Sequence, residues 1–432
     1  MCGAETPEGY DGFELGQKGS SGDGEDALGA PAAVLYRSDP VAAMAALAAL
    51  SAAAFAYVTT ESLPVGLLQP MSHALHSSLV ATGRLVTVYA AIIVVLSAPL
   101  AHLTKGLPRK ATMCVLMAAL VLTSLAAAAA PGYGWLMAVR VVTALAQALF
   151  WSLVIPTAAS LFPAEMTGRA VAWILGGGSM AIVLGVPAGT WLGQLAGWRA
   201  AFIGVAVLAA VLSVPIVLFL PSYHPAETHA GTGSAPDRRR YRLALATTAV
   251  TVGGFFCMYT YVSPFFTKVA GLALRDVAPV LLITGSAIVA GVFAGSVLSR
   301  RRPDIALIVP VAALGPALIA LYLAARVLPA AIAFAAVVCF VLGVYDVTNQ
   351  NYVLEVAPAS TDISSAWTSA SFNVGIAGGS LVGGLVLNGY GPRATALIGG
   401  LVAVAALFVA GAATPRRRRA AQRPHLRVSK AR

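Results

Sequence analysis

Gly185-Val186-Pro187-Ala188-Gly189-Thr190-Trp191-Leu192-Gly193 carries no charge and has a glycine at every fourth position. That spacing puts Gly185, Gly189 and Gly193 on one face of a helix, where missing side chains let another helix approach closely. Pro187 removes one backbone hydrogen bond and predicts a bend. The pattern returns 190 residues later as Gly375, Gly379 and Gly383. Both stretches sit inside apolar runs, 168–195 and 364–389, long enough to cross a hydrocarbon core of about 30 Å as helices. Two readings of the glycines stand: a packing groove, or a conformational seam on which two halves of the molecule rock.

Ten further apolar runs flank these two, near 41–68, 80–101, 110–130, 134–158, 199–220, 243–266, 277–298, 305–325, 329–353 and 393–413. In chain order the twelve are spans 1 to 12. The 432 residues are 58% hydrophobic and 10% charged, against about 25% charged in soluble domains. A soluble protein of this composition could not cover its core. The short alternating segments of a membrane β-barrel are absent from the sequence. The expected fold is therefore an all-α membrane protein of about twelve transmembrane helices in two pseudo-symmetric six-helix bundles, 41–220 and 243–414. Residues 1–40, Gly-rich with eight acidic and two basic residues, read as a disordered tail with neither signal peptide nor span. Residues 221–242 read as a polar, basic linker, and 415–432 as a basic tail.

The charges give a sidedness. Of the 28 Lys and Arg residues, 21 fall in the tails and even-numbered loops and 5 in the odd-numbered loops; Arg84 and Arg140 lie inside spans. The positive-inside bias then puts both tails in the cytoplasm. It also accounts for the net charge of +11 without a nucleic-acid partner; the expected partners are membrane lipids and a small-molecule substrate, and the chain reads as a monomer. Other features repeat at similar offsets. Lys105, Arg109 and Lys110 in loop 2–3 answer to Arg300, Arg301 and Arg302 in loop 8–9, Pro64 to Pro264, and Arg199 to Arg393. This is the pattern of a duplicated six-span unit, a known plan for transporters with a site between the halves.

The block Gly185-Val186-Pro187-Ala188-Gly189-Thr190, with Gly193-Gln194 and Gly197-Trp198-Arg199, resembles the antiporter motif of the drug:proton antiporter branch of the major facilitator superfamily. Thr60-Glu61 followed by Leu63-Pro64-Val65-Gly66-Leu67-Leu68 resembles span 1 of its sugar-efflux and chloramphenicol-efflux members. Arg140 within Ala138-Val139-Arg140-Val141-Val142 resembles the span 4 arginine motif; Phe150-Trp151-Ser152 and Asn373-Val374-Gly375-Ile376-Ala377 fit the same members. The resemblance covers about 41–414 and implies efflux by alternating access. The chain departs from the pattern at His102, where Asp is usual. Gln147 stands near the place where sugar-efflux relatives tend to carry His.

Charges inside spans are costly unless they face a cavity or a partner. Glu61 in span 1 and Arg140 in span 4 are placed to face each other. A carboxyl in a low-dielectric cavity can cycle a proton, so Glu61 is the expected proton carrier; a static ion pair, with Arg140 as a tether, is the other reading. Arg84 reads as snorkelling from the outer end of span 2. Asp346 in span 10, beside Tyr345 and Asn349-Gln350-Asn351, is a second proton station or substrate contact, or else meets water near the cytoplasmic end.

Tyr89, Gln147, Phe150, Trp151, Tyr259, Asn349 and Asn373, with Tyr261 and Trp367, are candidates to line a cavity for a flat or amphipathic solute, although span aromatics also serve as packing or interfacial anchors. Cys2, Cys114, Cys257 and Cys339 have no metal-ligand spacing. His73 and His76 read as solvated, so no metal site is expected. Neither a phosphate loop nor a catalytic constellation is present in the sequence. The expectation is no enzyme, no cofactor, and the proton as coupling ion.

Overall fold

The computed structural model describes residues 39–104, 107–163, 166–222, 236–303, 305–358 and 361–413, and every long element among them is helical. Span 1 is Pro40–Ala74; Asp39 caps it by accepting the Ala42 amide at 2.9 Å, and Pro40 occupies its first turn, where no donor is missed. Spans 2 to 4 are Leu79–Leu103, Arg109–Ala128 and Tyr133–Ser160. Span 5 comes in three pieces: Thr167–Met180, a π turn Ala181–Gly185, and Val186–Ala196. Span 6 is Trp198–Phe219. Span 7 is broken into Arg238–Tyr259 and Val262–Lys268. Spans 8 to 12 are Val277–Arg301, Ile308–Ala324, Leu328–Val356, Thr361–Tyr390 and Pro392–Ala413. Eleven are long and apolar enough to cross a membrane; span 9 is a shorter apolar helix.

Some boundaries differ from expectation. Span 7 starts at Arg238 instead of 243, because Asp237 accepts the Arg239 and Arg240 amides at 2.9 and 3.0 Å and nucleates the helix inside the basic linker. A π turn, Ala181–Gly185, stands just before Pro187. The proline then sits in the first turn of the resumed helix, where its missing donor costs little. Tail residues 1–38 and 414–432, most of the linker, and Lys105 of the loop motif lie outside the described residues; Arg109 and Lys110 open span 3.

Each six-span half packs on itself through the glycines. In the first half, side chains of span 1 fill the span 5 glycine face: Thr59 and Phe55 at Gly185, Leu63 at Gly189, Leu67 at Gly193. In the second, span 11 lies against span 7: Gly375 on Val252, Gly379 on the Gly253 backbone, Gly383 on the Cys257 carbonyl. The expected surface between the halves is thus not where these glycines lie; their seams are internal to each half. The two halves also share a clamp. Arg199 donates to the Ala130 carbonyl at 2.7 Å and lies over the Trp198 ring; Arg393 donates to the Tyr322 carbonyl at 3.1 Å and lies over the Tyr322 ring.

The halves meet at the end of the bundle away from the start of span 1. There Gln69 donates to the Thr267 hydroxyl, and Gln194 to the Leu274 carbonyl at 2.6 Å. Leu68, Tyr261 and Leu387 form an apolar plug with Leu79 and Val80, and the Tyr261 ring lies against Gly83 of span 2. Deeper in, Gly285 of span 8 rests on the π turn of span 5; a methyl group there would come within 2.7 Å of the Ile182 carbonyl oxygen. At the opposite end Pro99, His102 and Trp367 are exposed on spans 2 and 11. The side-chain contacts that join the halves thus gather at the end away from the start of span 1.

Candidate functional site

Proline chemistry positions the centre of the first half. In a helix the carbonyl of residue 60 would accept the amide of residue 64, but residue 64 is proline and has none. The free Thr60 carbonyl is taken by Arg140 Nη1 at 2.6 Å, and Nη2 reaches the Glu61 carbonyl at 2.9 Å. The guanidinium carbon also stands 4.1 Å from the Tyr89 ring centroid. Arg140, 1% exposed, is therefore held by main-chain oxygens and an aromatic face.

The Glu61 carboxylate is held separately. Tyr89 donates its hydroxyl to Gln147 Oε1 at 2.6 Å, which turns the amide so that Nε2 donates to Glu61 Oε2 at 2.5 Å. The expected face-to-face pairing of Glu61 with Arg140 is corrected on this point. The two residues are neighbours, but the arginine binds the glutamate's backbone, and its head makes no ion pair with the carboxylate. Glu61 is half-buried, while Tyr57, Val65 and Leu68 on its helix face are buried.

Pro64→Ala restores an amide that competes with Arg140 for the Thr60 carbonyl. A hydrogen bond from a charged donor contributes about 1.5–3 kcal/mol. The variant is expected to melt no lower than the parent in detergent while transporting several-fold more slowly. Equal transport at equal expression would refute the role.

The second half offers a different polar wall. Tyr345 and Asn349 of span 10 both reach Thr248 of span 7, at 3.2 and 3.1 Å. Asp346 lies between them in sequence and is exposed, although Cys339, Leu342, Asn349 and Val353, which share its face, are all buried. A carboxylate exposed in the middle of a buried arc opens into the interior space, not onto lipid. Asn373 is buried on span 11; it donates to the Ser369 carbonyl at 3.0 Å and leaves its own oxygen unpartnered.

Several candidates for a cavity lining pack instead. Phe150 is wholly enclosed and stacks on Tyr57 at 4.4 Å, joining span 4 to span 1. Tyr259 is enclosed and stacks on Phe255 at 4.8 Å. Trp151 meets Phe150 edge-on and is half-buried. Tyr261 belongs to the far-end plug. Tyr89, Gln147, Glu61 and Arg140 come together; Asp346 and Asn349 form a second group. Sequence reasoning passed over Gly83, Gly285 and Thr248. The glycines stand outside the four-residue ladders, and an isolated threonine in a span gives no signal.

The family model of the Major Facilitator Superfamily matches residues 50–368. The chain is 33% identical over 384 residues to the "Uncharacterized MFS-type transporter YtbD" of Bacillus subtilis (strain 168), covering 85% of this chain and 94% of that one. It is 30% identical over 362 residues to the "Probable sugar efflux transporter" of Mannheimia succiniciproducens, covering 82% and 90%. Its fold is similar to the crystal structure of a bacterial homolog of the human lysosomal transporter Spinster in an inward-facing, unoccupied conformation, with TM-score 0.65 at 15% identity over 87% of this chain and 96% of that one. It is also similar to the human organic anion transporter MFSD10 (TETRAN), with TM-score 0.60 at 16% identity over 85% and 98%. Two six-span halves, paired glycine seams and a match across most of the chain have one conclusion: the chain is a multi-pass membrane transporter belonging to the Major Facilitator Superfamily.

Proposed function

We propose that the chain is a proton-coupled exporter of a small drug-like molecule, working by alternating access in the inner membrane with both tails in the cytoplasm. The observation that carries the reading is the Glu61 carboxylate. It is half-buried among spans 1, 2 and 4, takes one hydrogen bond from a neutral amide, and makes no ion pair among the described residues. Such a carboxyl can gain and lose a proton without breaking a salt bridge, while Arg140 stays anchored next to it. The distribution of Lys and Arg supports the orientation; the contacts that join the halves then lie on the external side. A second reading, export of a sugar or other small metabolite, is favoured by the sugar-efflux name of one relative.

The test uses the full chain in proteoliposomes with an imposed pH gradient, offered chloramphenicol, ethidium and arabinose in turn. Uphill accumulation of either drug, abolished by a protonophore, is the expected result. Accumulation indifferent to the protonophore would remove proton coupling, and movement of arabinose alone would favour the second reading. Reporters fused after residue 230 and at the C-terminus should read cytoplasmic, and one near His73 external.

A further inference from the structure

The hydrogen bonds around Thr248 favour one orientation of the Asn349 amide. The Thr248 hydroxyl has one proton and spends it on the Ala244 carbonyl at 2.9 Å. It can therefore only accept from its other neighbours. Tyr345 donates its hydroxyl proton at 3.2 Å, and Asn349 must present its NH2 group, which lies at 3.1 Å. In this network the amide nitrogen faces Thr248 and the oxygen does not. That oxygen has no partner, although Asn349 is only 3% exposed. A buried amide oxygen without a donor carries the desolvation cost of an unmade hydrogen bond, about 1–3 kcal/mol.

Asp346 precedes Asn349 by three residues, so the two side chains are neighbours on one face of span 10. Asp346 is exposed, on the face of span 10 opposite Val337 and Phe340, and makes no ion pair among the described residues. Side by side, then, stand a carboxylate without a cation and an amide oxygen without a donor. Both are acceptors, and one is charged. A solute's hydroxyl would satisfy one of them and leave the charge unmet; an anion would be repelled. A protonated amine satisfies both, with N–H donors for the two oxygens and a charge for the carboxylate.

We propose that Asp346 and Asn349 form a recognition site for the ammonium group of an amine-bearing substrate, oriented by the Thr248–Tyr345 pair. The proposal rests on the transporter reading only in taking the interior space as the solute's path; binding here does not require proton coupling.

The test is direct binding to the purified full chain in detergent, read by ligand-induced thermal shift. The probes are 4-phenylbutylamine, its N-trimethylated form and 4-phenylbutanol. The primary amine should bind about tenfold or more tighter than the alcohol, with the trimethylated cation between, since it keeps the charge and loses the N–H donors. Asp346→Asn should erase the preference for amine over alcohol. Thr248→Val, which frees the amide to rotate, should erase the preference of primary amine over trimethylated cation while sparing that of cation over alcohol. Equal binding of amine and alcohol, no amine binding at millimolar concentration, or a preference that survives Asp346→Asn would overturn the proposal. Binding is read in detergent with no pH gradient, so a failure of proton coupling in the flux assay remains separable from a failure here.

Discussion

Glu61→Gln is expected to abolish uphill transport while substrate still binds and crosses down its own gradient. Gln reproduces the shape and hydrogen-bonding of the protonated acid but cannot release a proton. Arg140 holds the Thr60 and Glu61 carbonyls, not the carboxylate, so the substitution leaves its hydrogen bonds in place. In proteoliposomes the variant's accumulation ratio should fall to the equilibrium value with or without a pH gradient. Asp346→Asn should instead weaken binding and raise the substrate concentration needed for half-maximal flux, with gradient-driven accumulation retained. Full accumulation by Glu61→Gln together with its loss in Asp346→Asn would reverse the two roles. If neither change matters, coupling lies elsewhere.

Gly379→Ala is expected to harm the protein far more than Gly189→Ala, although the two glycines occupy matching places in the duplicated halves. A methyl group at Gly189 would lie 2.5 Å from the tip of the Leu63 side chain, which can rotate away. The same methyl at Gly379 would run into the Gly253 backbone, with that residue's Cα at 2.9 Å. Backbone cannot move without displacing span 7. Overpacking of this kind costs about 1–3 kcal/mol, whereas Gly→Ala within a helix otherwise gains up to about 1 kcal/mol. Melting of the two variants in detergent should show Gly189→Ala near the parent and Gly379→Ala clearly lower. Equal melting would show that the seam between spans 7 and 11 is more yielding than its geometry implies.

Residue chemistry with long period was legible in the sequence. Apolar runs, glycines four apart and the alternation of Lys and Arg gave twelve spans, the duplication and most boundaries to within a few residues, because each depends only on local composition. Direction of contact was not legible. The glycine ladder announces that something approaches, but not whether it is span 1 or the opposite half. Phe150 beside Trp151 suits a cavity lining as well as the commoner packing role, and the stacking on Tyr57 decides. Glu61 and Arg140 were recognisable as neighbours from their depths. That they meet through main-chain carbonyls depends on the amide that Pro64 lacks, a consequence of geometry visible once both helices are in place.

The main-chain anchorage of Arg140 also bears on how such a protein can change over generations. Where a coupling carboxylate is the structural counter-ion of a buried cation, losing it strands a charge, and the lineage must acquire a second change before the first is tolerated. Here the cation's partners are peptide oxygens, which no side-chain substitution at position 61 removes. On the proposed mechanism, a pump and a passive facilitator are then one substitution apart, with the arginine's hydrogen bonds intact in both.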